Sequence, residues 1–192
     1  MRFKSVLFVF VLSVFAFNAS AKKTNDYEIK VKATQLKNDT IFLGYYYNGK
    51  PYIQDTISLD KSGKGVLSRE KELKEGSYIM YFHGSKYFDM IIGKDKNISV
   101  EIKDTLSLPE SVVIKGAAET VDFHNYALKL KSSQVQYNKL SEELKIAEDS
   151  LSKVNLQAEA KAIYESVNNT RDSLIQAHPL SSSFQHHYHQ GW

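Results

Sequence analysis

From Tyr27 to Gly116 the apolar residues of this chain recur mostly at every second position; after Gly116 a stripe of them recurs at every seventh. Period two sends alternate side chains to opposite faces of a strand, and period seven lines them along one stripe of a helix. A chain that changes period once, at a glycine, is a β-unit followed by a helical unit. Residues 76–103 carry the β-signal most fully, as three runs parted by turn signals at Gly84-Ser85 and at Gly93-Lys94-Asp95-Lys96-Asn97. In the last run Ile98, Val100 and Ile102 alternate with Ser99, Glu101 and Lys103, giving one apolar and one wet face. The middle run sets Phe88, Met90 and Ile92 against Tyr87, Asp89 and Ile91. The first, 78–83, is apolar on both faces, which predicts an interior place in its sheet.

The other strands follow the same logic. Tyr27, Ile29, Val31 and Ala33 alternate with Glu28, Lys30 and Lys32. Runs at 39–47 and 52–59 are joined through Asn48-Gly49, the dipeptide that supplies the two positive φ angles of a type I′ hairpin turn. Pro51 has no N–H for a ladder, which places it at a strand start or on an edge. A glycine-containing turn at 61–65 leads to a short strand near Val66-Leu67, and the charged run 69–72 precedes the central three strands. A last strand, 112–115, ends at Gly116. About eight short strands at intervals of about ten residues predict an antiparallel β-sandwich or partly open barrel, within a β-rich α+β chain. No helical period falls among them, which argues against a parallel sheet.

Beyond Gly116, Phe123, Leu130, Tyr137, Leu144 and Leu151 recur every seven residues, with Tyr126, Leu140 and Ala147 between them. A second helix carries Leu156 and Ile163 on one register and Ala160, Val167 and Leu174 on the other. The turn falls at 149–152, and the pair forms a helical hairpin over 117–178. His178-Pro179 ends it, because proline disfavours helix at the residue before it. The seam suits either the inside of the hairpin or oligomerisation through it. Residues 179–192 are a polar tail without periodicity.

At the other end, Arg2 and Lys4 precede an apolar run over 6–17, and Ala19-Ser20-Ala21 forms a small-x-small cleavage site. Residues 1–21 therefore read as a secretory signal cleaved after Ala21, since the apolar run falls short of the roughly 20 residues a membrane anchor needs. The β-domain spans 22–116, and the expected location is outside the inner membrane, in the periplasm. The chain contains no cysteine, which excludes disulfides, a thiolate nucleophile and thiolate metal ligation. Its formal charge is +3, with lysines scattered among acids, so no basic stripe points to nucleic acid.

The β-region resembles a domain of unknown function that precedes the thioredoxin-like domain in secreted thiol–disulfide oxidoreductases of the TlpA and ResA kind. The residues that carry the resemblance are YEIKVKA from Tyr27, LGYYYNGKPYIQDTISLD from Leu43, LKEGSYIMYF from Leu73, FDMIIGKDKNISVEI from Phe88 and VVIKGAAE from Val112. It covers roughly residues 26–179, including a helical linker like that over 120–177. In the family the linker leads to a thioredoxin-like domain with a Cys-x-x-Cys motif. This sequence has no counterpart of that domain, so the family's catalytic residues have no positions here. What the resemblance implies is a non-catalytic accessory or interaction module.

Candidate sites are few. Tyr45, Tyr46, Tyr47 and Tyr52 surround the hairpin turn, and aromatic faces suit sugar or peptide binding by stacking. Tyrosine is also a good strand former and cross-strand partner, and alternation sends successive tyrosines to opposite faces, which favours a structural role; Tyr45, Tyr47 and Tyr52 are the candidate binding surface. His83 and Asp89 lie in adjacent predicted strands, where they pair as acid and base or serve only solubility. His186, His187 and His189 could converge on a metal ion but carry no pre-ordering, and no cofactor or metal site is assigned. Asp-Ser/Thr-aliphatic tripeptides at Asp39, Asp55, Asp104, Asp149 and Asp172 resemble an O-glycosylation signal of exported proteins in some Gram-negative bacteria. The expected function is an exported interaction module with a protein or glycan partner and no catalytic constellation. The alternative is an independent extracytoplasmic binder of a peptide, glycan or partner protein.

Overall fold

The computed structural model describes residues 27–48, 50–69, 73–84 and 86–178. Ala19, Ala21 and the terminal histidines lie outside the described residues. The elements in order are β1 (Tyr27–Ala33), β2 (Thr40–Tyr47), β3 (Lys50–Ser58), β4 (Lys64–Arg69), β5 (Gly76–Phe82), β6 (Lys86–Ile92), β7 (Asn97–Ile102), β8 (Val112–Gly116), α1 (Ala118–Ile146) and α2 (Ser150–Ala177). The strands form two four-stranded sheets, ordered β4-β1-β7-β8 and β3-β2-β5-β6. The sheets face each other as a sandwich and do not close into a barrel.

Alternation decides what lies between them. Ile29 and Val31 of β1, Ile98 and Val100 of β7, Ile41 and Leu43 of β2, and Met80 and Phe82 of β5 share one core. Phe88, Met90 and Ile92 of β6 join it, and their wet-face neighbours Ser99 and Lys103 of the β7 run are exposed. β5 lies between β2 and β6, the interior place that its two apolar faces require.

One pairing departs from the antiparallel expectation. β1 runs parallel to β7, with Ile29 beside Ile98 and Val31 beside Val100. Parallel neighbours need a long crossover, and no helix intervenes to supply it. Instead the chain goes through the other sheet and back between β1 and β7, so strands do the work of the crossover helix.

At Gly116 the chain turns from β8 into α1 with φ +99, and a Cβ there would run into the Asn97 carbonyl. Only glycine tolerates both conditions. α1 then packs on β6 and β8, the edge strands on one side of the sandwich. The Thr120 hydroxyl donates to the Ile91 carbonyl of β6 (2.7 Å), and His124 Nε2–H donates to the Val112 carbonyl of β8 (3.0 Å). One helix thus satisfies carbonyls on the free margins of both sheets, which removes two templates for edge-to-edge aggregation. The same docking explains Ile91, which alternation puts on the outer face of its sheet: Phe123 and Leu174 bury it there.

The helical hairpin is as expected in outline. Its turn falls slightly earlier, at 147–149, because Asp149 caps α2 by accepting a hydrogen bond from the Ser152 amide (2.7 Å). α2 stops at Ala177, and His178 Nε2 lies 3.0 Å from Asp122 Oδ2, tying the end of α2 to the first turns of α1. Beyond Ser133 no residue of α1 is buried, and Val167 is the buried residue of α2. The seam residues Leu140, Leu144, Leu156 and Ile163 are half-buried where the two helices meet. The distal part of the hairpin is therefore an arm projecting from the sandwich. Among the described residues no helix is long and apolar enough to cross a membrane.

Candidate functional site

The β2–β3 hairpin is governed by two registers that disagree by one residue. Near the turn, where Asn48 takes φ +49, Tyr47 pairs with Lys50, Tyr45 with Tyr52 and Gly44 with Ile53. Nearer the core, Leu43 pairs with Asp55 and Ile41 with Ile57. A two-residue turn demands the first set; burying Ile41 and Ile57 together demands the second. A bulge at Gln54 absorbs the difference.

That bulge decides which side Tyr52 faces. Strict alternation back from Ile57 would put Asp55 and Ile53 on the inner face and Tyr52 on the outer one. With the extra residue, Ile53 points outward and is exposed, and Tyr52 stands opposite Tyr45. Tyr45 shares the inner face with Leu43, and its neighbour across β5 is Tyr78, which is buried. Tyr45 and Tyr52 stack at 5.9 Å between ring centroids, and Tyr47 meets Tyr52 edge-on at 6.2 Å. The three rings nevertheless stay accessible, at 37% (Tyr45), 62% (Tyr47) and 45% (Tyr52) exposure. They form an aromatic shelf on the inner face of the second sheet, where the facing sheet no longer covers it.

The inner end of the shelf is polar. Asp55, two rungs inward from Tyr45 and Tyr52, takes a hydrogen bond from Arg69 Nη2 at its Oδ1 (2.7 Å) and from the Tyr27 hydroxyl at its Oδ2 (3.3 Å). Tyr27 opens β1 and Arg69 closes β4, and the two residues are paired across those strands. Burial and the negative charge of Asp55 push the Tyr27 hydroxyl up to about 12. The Tyr78 hydroxyl donates to the Lys74 carbonyl (2.8 Å) and meets the Gln54 side chain, and burial raises it too to about 12. Both phenols are therefore neutral donors across the physiological range.

Tyr46 faces the other way. On the outer face it donates to Asp89 Oδ1 (3.0 Å), and burial and that carboxylate raise its pKa. This separates the two residues that sequence set in adjacent strands as an acid–base pair. His83 Nδ1 lies 2.8 Å from Asp39 Oδ1, not near Asp89. The reason is register: Asp89 pairs with Ile79, four residues along β5 from His83, or roughly 13 Å of strand. Hydrogen bonding from the Thr40 amide, followed by His83, holds the Asp39 carboxyl below its usual value.

Asp55, named in the sequence only as part of a tripeptide signal, and Arg69, Gln54, Tyr27 and Tyr78 are the residues about the shelf that sequence reasoning did not single out for binding. Asp55 offered a signal, as a carboxylate two positions before buried Ile57 on a strand reading inward. Arg69 offered none, because it begins a charged run that looks merely solvated. Among the described residues no group of three or more His, Asp or Glu side chains is placed to hold a metal ion. The hydroxyl-bearing residues of the Asp-Ser/Thr-aliphatic tripeptides, Thr40, Thr56, Thr105, Ser150 and Ser173, are all exposed or half-exposed. Comparison with known protein families and with characterised proteins finds no match.

Proposed function

We propose that this chain is an exported, non-catalytic interaction module that contacts its ligand through the Tyr45–Tyr47–Tyr52 shelf. The observation that carries the reading is the convergence of these rings, from two strands, on one accessible face beside a charge-neutral polar cluster. Large apolar rings are normally covered, and a cluster left open on the same sheet face as a donor–acceptor pair suits contact with an amphipathic partner. Export rests on the leader-like segment before Lys22. The resemblance to the domain preceding thioredoxin-like oxidoreductases supports an accessory role. With no cysteine the chain cannot perform the thiolate attack that thiol–disulfide exchange requires.

The experiment is an array of envelope glycans and peptides, probed with the protein recovered from the outside of the inner membrane in its host. The recovered chain should begin at Lys22. It should retain at least one class of ligand and lose it on Tyr52→Ala substitution, while reducing no insulin disulfides in metal-free buffer. Retention unchanged by Tyr52→Ala would overturn the shelf as the contact surface, and metal-free thiol turnover would overturn the non-catalytic reading.

A further inference from the structure

Resting on the reading of the shelf as a binding surface, we infer that its ligand is a neutral pyranose oligosaccharide rather than a peptide strand or a charged polymer. Three features of the site converge on that chemistry.

The first is the platform. Tyr45 and Tyr52 present two offset rings with Tyr47 edge-on beside them, all carried on strands rather than on a mobile loop. A pyranose has flat C–H faces that stack on such rings and equatorial hydroxyls that project past their edges. Tyrosine offers the ring and a hydroxyl at its far end together, so face and rim of a sugar are met by one side chain.

The second is the wall at the inner end. A sugar hydroxyl is at once a donor and an acceptor. Asp55, two rungs inward from the stacked rings, and Arg69 of β4 supply an acceptor and a donor fixed 2.7 Å apart. Asp55 is only 16% exposed, with lone pairs beyond the two bonds it accepts, whereas the Arg69 guanidinium, which also meets the Tyr27 hydroxyl, is 55% exposed and is the more open partner. The charges of Asp55 and Arg69 cancel within the pair, which among the described residues leaves Lys50, opposite Tyr47 at the turn end, as a single cation beside the rings, too little to hold a polyanion, and gives a polycation no acidic patch. Neither gains the field that a single-signed patch would give it. Vicinal hydroxyls gain from both.

The third feature excludes the commonest way a peptide joins a sheet. Adding a strand requires a regular ladder of free N–H and C=O groups along an edge. β3 is the edge strand at the shelf, but Pro51 has no N–H and the bulge at Gln54 breaks its spacing. The edge is blunted where the aromatic face is open, so recognition falls to side chains.

The test is isothermal titration of the full exported chain with cellohexaose, maltoheptaose and chitohexaose, alongside a proline-rich peptide and polygalacturonate. At least one neutral oligosaccharide should bind, with a dissociation constant on the order of 0.1 mM. Tyr52→Ala should weaken it at least tenfold, Tyr52→Phe should keep the stacking and most of the affinity, and Tyr87→Ala on the outer face should change nothing. Melting curves of each variant show whether it is folded. If no neutral oligosaccharide binds, and the peptide or the polyanion binds in a Tyr52-dependent way, the oligosaccharide assignment is overturned and the shelf survives. If nothing binds, or if binding ignores Tyr52→Ala, the shelf falls with it.

Discussion

Replacing Thr120 by valine tests how the helical hairpin is held to the sandwich. The Thr120 hydroxyl donates to the Ile91 carbonyl at 2.7 Å, and both residues are fully buried. That carbonyl faces away from β5, on the free margin of β6, so no neighbouring strand stands ready to replace the lost donor. Valine has nearly the shape of threonine, which leaves the unpaired carbonyl as the main cost, about 1–3 kcal/mol. For a chain of this size about 2 kcal/mol lowers the melting temperature by about 4–8 °C. Thr120→Ser keeps the donor and deletes one methyl, a loss of about 1 kcal/mol, or about 2–4 °C. Thermal melting followed by far-ultraviolet circular dichroism separates the two. If Thr120→Val melts no lower than Thr120→Ser, the hydroxyl–carbonyl bond contributes nothing, and α1 does not cap β6 as described.

The remaining predictions concern charge, core and modification. His124 is buried with Nδ1 lacking a hydrogen-bond partner, and desolvation holds its pKa below the usual 6.5. The unfolded chain therefore takes up the proton first. This part of the stability is complete above pH about 6.5 and is lost as pH falls below it towards the folded-state pKa. Melting temperatures from pH 7.5 to 5 should decline, and His124→Gln should flatten that slope; an equal slope in the variant would contradict the assignment. Val100 is buried in β7 between Val31 and Ile114, so Val100→Asp should cost at least about 3 kcal/mol, and an unchanged urea midpoint would show the faces to be reversed. Intact-mass measurement on protein from the native host should exceed the bare polypeptide if the Asp-Ser/Thr-aliphatic tripeptides are glycosylated, and a mass equal to the polypeptide ends that idea.

The sandwich was legible because β1, β4 and β7 keep a clean period of two, as in Ile98, Val100 and Ile102, and the two-faced apolar run of β5 marks an interior strand. The hairpin was legible for the same kind of reason, since its seven-residue stripe is a local signal; the stripe does not reveal the Asp149 cap, and the turn expected at 149–152 falls inside the first turn of α2. What alternation cannot carry is pairing between distant strands. The parallel β1–β7 contact joins two strands that look like any others, and their partners are chosen by how two sheets share one core. Ile91 looked exposed until a helix lay over it. The tyrosine cluster was visible as a cluster, but its geometry was not. Turn chemistry and core burial each fix a register for β3, and the one-residue conflict between them appears only when both are counted from their own ends. The resulting bulge turns Tyr52 toward Tyr45 and leaves Asp55, with its partner Arg69, two rungs inward of the rings. Asp39 and His83 form a pair for a similar reason, a contact across strands that no spacing along the chain announces.

The chain carries its own control for the central claim, because its hairpin tyrosines point to two faces. Tyr45, Tyr47 and Tyr52 lie on the inner shelf, whereas Tyr46, Tyr81 and Tyr87 lie on the outer face of the same sheet. With tyrosine rings selectively labelled with carbon-13, a nuclear magnetic resonance titration with the neutral oligosaccharides and the proline-rich peptide reports on both faces at once. The shelf account predicts ring-signal shifts at Tyr45, Tyr47 and Tyr52, with Tyr46, Tyr81 and Tyr87 unmoved. Shifts confined to the outer-face tyrosines, or none at saturating ligand, would contradict it.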